Sequence, residues 1–311
     1  MDKEMLVEIL KQGNTSVYSW ALYFFKIDRR KQNPYTAYKI RFKNDTYLQL
    51  YIDKLIEMVI ENQLGKVSEI KKYTGENAKI SCDMIKIDNE LVKEQWDYLV
   101  RDIAEASDEK VTGKYHGYIL EGTPLVEDKK NIIFFKIANP VINLTNKRGV
   151  VFTFNSNSEL AEMSDEICKL YMNVDCIVTN GRIYSFNYKM EDLFNMEKTM
   201  QKLKTKALEE IIATDAFADI QEFEQMANSY KSPRTFITLK AERVERIKDK
   251  MERKKIAKML NIDTDKDNKF VFRNEDDVSL LIRYLCFKVF KDYETEELLE
   301  ANNVTELSIN K

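Results

Sequence analysis

Apolar and polar positions change rhythm several times along the chain. Met5, Leu6, Ile9 and Leu10 recur at helical spacing and predict a helix over 2–12. Aromatic and β-prone residues over 17–27 predict a strand, and Asn33-Pro34 marks the turn out of it. Alternation over 35–42 predicts its partner. Asn44-Asp45-Thr46 offers an N-cap, after which Leu48, Tyr51, Ile52, Leu55, Ile56, Val59 and Ile60 line one face of a helix ending near Leu64-Gly65. Residues 67–73 and 78–87 read as extended, with Gly75 in the turn between. Asp88 or Asn89 caps a helix carrying Leu91, Val92, Trp96, Leu99, Val100 and Ile103. Strands are expected over 115–120, 132–137 and 149–154. Residues 174–179 and 182–186 form the clearest hairpin, because Asn180-Gly181 suits a turn with positive φ at both central positions.

After Tyr188 the pattern becomes helical. Helices are expected over 190–228, over 234–260 beyond Ser232-Pro233, and over 275–290 and 294–301, with a short strand at 270–272. The chain is therefore expected to be α+β: a strand-rich half with flanking helices, 1–188, and a helical half, 189–311. The halves are either two domains or one continuous fold. No internal repeat or low-complexity linker separates them.

Composition adds exclusions. The 311 residues are 44% hydrophobic, enough for a sizeable core. Asp2, Lys3, Glu4 and Glu8 leave no basic and apolar leader pattern, and the uncharged run 12–25 is too short and polar to span a bilayer. A soluble, cytoplasmic protein is expected, with any membrane connection made through a partner. Cys82, Cys168, Cys176 and Cys286 show no C-x-x-C spacing and read as reduced, mostly buried thiols. His116 is the only histidine, which removes every two-histidine metal set. It reads as a partly exposed strand residue with no catalytic motif beside it. Neither phosphate-loop glycine pattern is present. No cofactor is expected, and nothing compels an enzymatic reading.

Net charge is −3, from 49 basic and 52 acidic residues, so a uniformly cationic surface is excluded. The local balance is different. Between Lys231 and Lys258 stand eleven basic and four acidic residues, a net of +7. On one continuous helix Arg243, Arg246, Lys250, Arg253 and Lys254 fall on one stripe, with Val244, Ile247 and Met251 beside it facing a core. With Lys240 and Lys258 these cations are the candidate DNA-binding residues, suited to following a phosphate backbone without reading bases. The competing reading is a solvated helix face laced by pairs such as Glu242–Arg246. Lys198, Lys202, Lys204 and Lys206 extend the surface if the helices pack antiparallel. Tyr35, Tyr38, Tyr184 and Tyr188, near Arg30, Lys31, Lys39, Arg41, Arg182 and Lys189, are candidate base-stacking residues or ordinary strand tyrosines. For a metal-dependent nuclease the only spacings of interest are Asp53 with Glu69-Ile70-Lys71, and Asp83 with Lys86.

At the Asn-Gly hairpin the residues become recognisable. The stretch Val174-Asp175-Cys176-Ile177-Val178-Thr179-Asn180-Gly181-Arg182-Ile183-Tyr184-Ser185-Phe186-Asn187, running into Met190-Glu191-Asp192-Leu193-Phe194, resembles the central signature of the KwaB family of Kiwa anti-phage systems and its uncharacterised-domain relatives. There a strand bearing an Asp precedes a hairpin and a helix that opens with an acidic residue near a Phe. Residues 279–285 and Thr295-Glu296-Glu297-Leu298-Leu299-Glu300-Ala301 resemble the family's closing helices. The likeness covers most of the chain in layout and is specific over about 174–194 and 279–301. It implies a bacterial cytosolic protein working with a membrane-embedded partner, KwaA, at the inner membrane. It also implies a homodimer, and DNA binding that blocks phage replication and transcription. No functional residue is carried over from it. A metal-dependent nuclease and a scaffold docking an acidic protein are the alternatives.

Overall fold

The alternating segments of the first half close into one eight-stranded sheet. The computed structural model describes residues 3–13, 17–75, 81–107, 114–142, 151–154, 160–163, 167–230, 232–291 and 298–300. Parts of the expected strands at 78–80 and 149–150, and of the expected helix at 294–297 and 301, lie outside them. The chain divides into two compact units: Met1–Tyr73 with Asn77–Asn195, and Thr74–Glu76 with Met196–Lys311. The fold class is α+β.

In the first unit the order is α1 (Lys3–Gly13), β1 (Tyr18–Ile27), β2 (Tyr35–Ile40), α2 (Asp45–Met58), β3 (Glu69–Lys72), β4 (Ser81–Lys86), α3 (Lys93–Ala104), β5 (Gly117–Pro124) and β6 (Ile132–Lys136). There follow β7 (Val141–Ile142), β8 (Val151–Phe154), β9 (Leu160–Met163), β10 (Ile167–Cys168), β11 (Cys176–Thr179), β12 (Arg182–Ser185) and α4 (Lys189–Leu193). The sheet runs β2-β1-β5-β6-β11-β12-β4-β3. All its pairings are antiparallel except β3–β4, which is parallel, with Lys71 opposite Asp83. Gly75 does turn, at φ 82°, but 67–73 and 78–87 do not make a hairpin.

Alternation along the strands gives the sheet two apolar faces. Leu22, Phe24, Tyr118, Leu120, Phe134 and Ile177 share a core with Leu6 and Leu10 of α1 and Ile52, Leu55 and Ile56 of α2. The opposite face carries Tyr23, Phe25, Ile119, Phe135 and Ile183, all buried. There Phe194 meets Phe135 and Trp96 of α3, each with ring centroids 6.4 Å apart. Local signals explain several boundaries. The Asn44 side chain accepts from the Thr46 amide and starts α2. Asn180 and Gly181 take φ 50° and 67° between β11 and β12. Asn89 accepts from the Leu91 amide, but this organises a turn, and α3 begins only at Lys93.

In the second unit come α5 (Met196–Ile212), α6 (Ile220–Ser229), a 3-10 turn (Pro233–Thr238), α7 (Ala241–Arg246), α8 (Lys250–Leu260), β13 (Asp263–Thr264), β14 (Phe270–Val271), α9 (Glu275–Leu285), β15 (Val289–Lys291) and β16 (Leu298–Glu300). The expected helix over 190–228 is thus broken twice, and so is that over 234–260: it opens as the 3-10 turn and is interrupted at 239–240 and at 247–249. Its core includes Phe217 stacked on Phe223 at 4.0 Å, with Phe270, Leu281 and Leu285. The expected closing helix at 294–301 is corrected where it is described: Leu298–Glu300 pairs antiparallel with Val289–Lys291.

One glycine is fixed by close approach. A Cβ on Gly117 would lie 2.1 Å from the Lys136 carbonyl oxygen, so any side chain there drives β5 off β6. Gly117→Ala is expected to lose about 2 kcal/mol or more in urea unfolding, the scale of an overpacked core. A Cβ on Gly65 meets nothing nearer than 3.4 Å, and Gly65→Ala should leave the midpoint nearly unchanged.

Candidate nucleic-acid interface

The break at 247–249 redistributes the basic segment. Asp249 leaves the helical conformation, and its carboxylate accepts from the Met251 and Glu252 amides at 2.8 Å each, so α8 starts afresh with a new phase. The carbonyls freed at the end of α7 need donors. Arg253 supplies them: its Nη1 donates to Ile247 O at 3.0 Å and Lys248 O at 2.9 Å, and its Nε donates to Asn268 O at 3.0 Å. Arg253 is only 7% exposed.

Arg243 is also interior, at 9% exposure. It donates to Tyr284 O at the end of α9, and its guanidinium lies 4.3 Å from the Tyr284 ring centroid and 4.0 Å from that of Phe287. Burial lowers its pKa, yet the carbonyl and the two ring faces suit a cation. Phe287 sits there at φ 62°, a left-handed conformation costly for a side chain of its size. Two of the seven expected DNA-binding residues are therefore structural. The single stripe is corrected for the same reason: it assumed one unbroken helix.

The remaining five divide again. Arg246 pairs with Glu252 at 2.6 Å, and Lys250 with Asp267 at 3.4 Å. The ammonium of Lys240 lies 5.7 Å from the Phe287 ring centroid. Lys254 and Lys258 are exposed, and among the described residues neither forms an ion pair. On α8, Lys250, Lys254 and Lys258 stand one turn apart, about 6 Å along the axis, in one exposed stripe. Met251, expected in the core, is 62% exposed beside it, whereas Val244 and Ile247 are buried as expected.

Other candidates move inward. Lys204 is 9% exposed and donates to Asn228 O at 3.1 Å and Tyr230 O at 2.6 Å, closing the end of α6. Lys198, Lys202 and Lys206 stay exposed. Tyr35 is buried and donates to Leu193 O at 2.5 Å; Tyr184 is buried, and Tyr38 packs edge-on against Tyr115. Tyr188 is 46% exposed. His116 is exposed, and its Nδ1 accepts from the Ile27 amide at 3.0 Å. Burial first, then Arg29 and Lys26, lower its pKa. A proton on Nδ1 would displace that bond.

The nuclease spacings come apart. Asp53 on α2 accepts from Gln49 at 2.6 Å. Lys86 follows Asp83 at odd spacing and points to the other face of β4. Asp83 instead has Lys71 and Ser185 as cross-strand neighbours. Among the described residues no three His, Cys, Asp or Glu side chains gather as a metal set. The Asp of the hairpin signature is structural. Asp175 takes the Ile137 amide at 2.7 Å, Asn187 Nδ2 at 2.8 Å and Lys136 Nζ at 3.3 Å, joining the end of β6 to the start of β11.

The most unusual carboxyl belongs to Asp83, and neither of the nuclease spacings explains it. Asp83 is 1% exposed, and its Oδ2 has no hydrogen-bond partner. Burial raises its pKa to about 7; Lys71 opposes the rise and nearby Glu191 adds to it. A carboxyl whose folded pKa lies above its unfolded value contributes most stability below the unfolded value and loses it as pH rises through the folded one. In chelator-containing buffer, Asp83→Asn should therefore gain melting temperature over the wild type as pH rises from about 4 to about 8. A gap between the two proteins that stays constant with pH would contradict the assignment.

Searches of curated proteins and of solved structures return no match. A family model described as Kiwa protein KwaB-like matches residues 124–288. That span takes in the Asp175 hub, the Asn-Gly hairpin, α4 and the basic segment. It covers more than half of the sequence, and the chain belongs to the KwaB-like family of the Kiwa anti-phage defence system.

Proposed function

We propose that this protein is a non-catalytic anti-phage effector that grips the DNA backbone without reading sequence, through the lysine stripe of α8. The exposed row Lys250, Lys254 and Lys258 supports this reading, because two of the three carry no ion pair among the described residues. Cations already held by carboxylates must give up those bonds to meet a phosphate; Lys254 and Lys258 need not. Arg246 and Lys240 flank the stripe in sequence and supplement it at low salt. Duplex DNA is the ligand of this reading, since the candidate base-stacking tyrosines Tyr35 and Tyr184 are buried inside the sheet.

Among the described residues no helix is long and apolar enough to cross a membrane. From the family likeness the reading takes a membrane-embedded KwaA-like partner that brings the protein to the inner face of the membrane, and a homodimer as the working form. Blocking of phage replication and transcription follows from occupancy of the duplex.

The test is a salt-titrated binding assay on duplexes of unrelated sequence. Lys250→Glu, Lys254→Glu and Lys258→Glu combined should weaken binding to all of them alike. The slope of log K against log salt should flatten by about 0.9 for each phosphate that is no longer neutralised, up to about 2.7. Unchanged affinity in the folded triple variant would remove α8 from the interface.

A further inference from the structure

One large apolar side chain of the basic segment is left outside any core. Met251 is 62% exposed, more than any other large apolar residue described in the second unit, and it is not among the residues packed on that unit's core. Its place on α8 is the reverse of a buried one. Arg253, Ile256, Ala257 and Leu260 face inward. At about 100° per residue, Met251 projects within about 10° of the opposite direction. Lys254, Lys255 and Lys258 fall within about 60° of it, and Lys250 precedes it in sequence. All four lysines are exposed. The outermost ridge of α8 is therefore an apolar side chain set among cations.

The backbone that carries this side chain is held firmly. The Met251 amide donates to the Asp249 carboxylate at 2.8 Å in the cap that starts the helix. Two residues on, Arg253 is fixed by the carbonyls of Ile247, Lys248 and Asn268. A single exposed apolar residue is ordinary on a mixed surface, but the neighbours of Met251 restrict what can cover it. A protein core closing over it would have to desolvate the surrounding ammonium groups as well. A fitting ligand offers apolar surface between rows of negative charge. The minor groove of duplex DNA has that form: sugars and base edges inside, phosphates along both rims. Apolar side chains, methionine among them, enter it as wedges that part a base step and kink the duplex.

We propose that Met251 is an apolar wedge for the minor groove of duplex DNA, with Lys254, Lys255 and Lys258 on the flanking phosphates. The inference rests on the α8 reading above. It adds to that reading a contact that salt does not screen, and a bend in the bound DNA. Lys255 joins by exchanging its 2.7 Å bond to Glu252 for a phosphate.

The test uses the full chain and a short duplex carrying a donor dye at one end and an acceptor at the other, titrated over a range of salt. The wild type should raise energy transfer as it bends the duplex. Met251→Ala should weaken binding about fivefold or more at every salt, with the slope of log K against log salt unchanged, because no phosphate contact is lost. It should also abolish the rise in energy transfer. Met251→Leu, which keeps the apolar bulk, should restore both. These side chains lie mostly in solvent, so melting temperature should stay that of the wild type. Met251→Ala binding and bending DNA as the wild type does would overturn the wedge and leave the lysine stripe standing. Unchanged affinity in the triple lysine variant would instead remove the stripe, and the wedge with it. Met251-dependent binding to anionic phospholipid vesicles, with duplex binding indifferent to Met251→Ala, would overturn the wedge in favour of a membrane contact.

Discussion

Basic side chains that close the carbonyl ends of helices are the interaction on which the second unit depends. A helix leaves its last carbonyls without intrahelical donors, and short helices expose a larger share of them. Here α6 ends on Lys204, α7 on Arg253, and α9 on Arg243. The residue after α8, Asn261, turns at φ 55° and gives its carbonyl to Arg273 at 2.6 Å, while Arg273 also holds Asp277. The first unit repeats the device at α4, where Arg29 donates to Asp192 O and Leu193 O. In each case a long cation reaches a helix terminus from elsewhere in the chain, where the local dipole also favours positive charge. Apart from α5 these helices are short and irregularly joined, and these bonds fix where α4, α6, α7, α8 and α9 stop.

That constraint changes the meaning of the +7 segment. Counting charge along a sequence treats every cation as a surface cation. The structure instead divides the segment: Arg243 and Arg253 are buried and serve carbonyls, while Arg234, Arg246 and the lysines of α8 are exposed. The division follows chemistry. A guanidinium offers five donors in a plane and remains charged when buried, so it can serve several carbonyls at once. An ammonium on a flexible stem is easier to leave in solvent. The phosphate-facing role proposed for Lys250, Lys254 and Lys258 is what remains after the two buried arginines and the ion-paired Arg246 are accounted for.

Much of the fold was legible because its signals are local. Asn44 before α2 and Asn180-Gly181 between β11 and β12 act within a few residues, and both behave as such residues do. The break at 247–249 also had a local signal, since Asp249 followed three residues later by Glu252 marks a helix start. Helical periodicity across 234–260 concealed it, and with the break went the phase of the whole stripe. The parallel pairing of β3 with β4 and the burial of Asp83 opposite Ser185 were not legible. They depend on residues brought together over long stretches of sequence. The strand at Leu298–Glu300 likewise depends on its pairing with Val289–Lys291, while its own residues favour a helix.

The most direct test of this account is urea unfolding of two variants placed next to each other in sequence, Arg253→Gln and Lys254→Gln. Removing the arginine leaves buried carbonyls at the end of α7 without donors, and a loss of about 3 kcal/mol is expected. Removing the neighbouring lysine touches only solvent, and a change within about 0.5 kcal/mol is expected. Equal stability of the two variants would contradict the division of the basic segment into a structural part and a surface part.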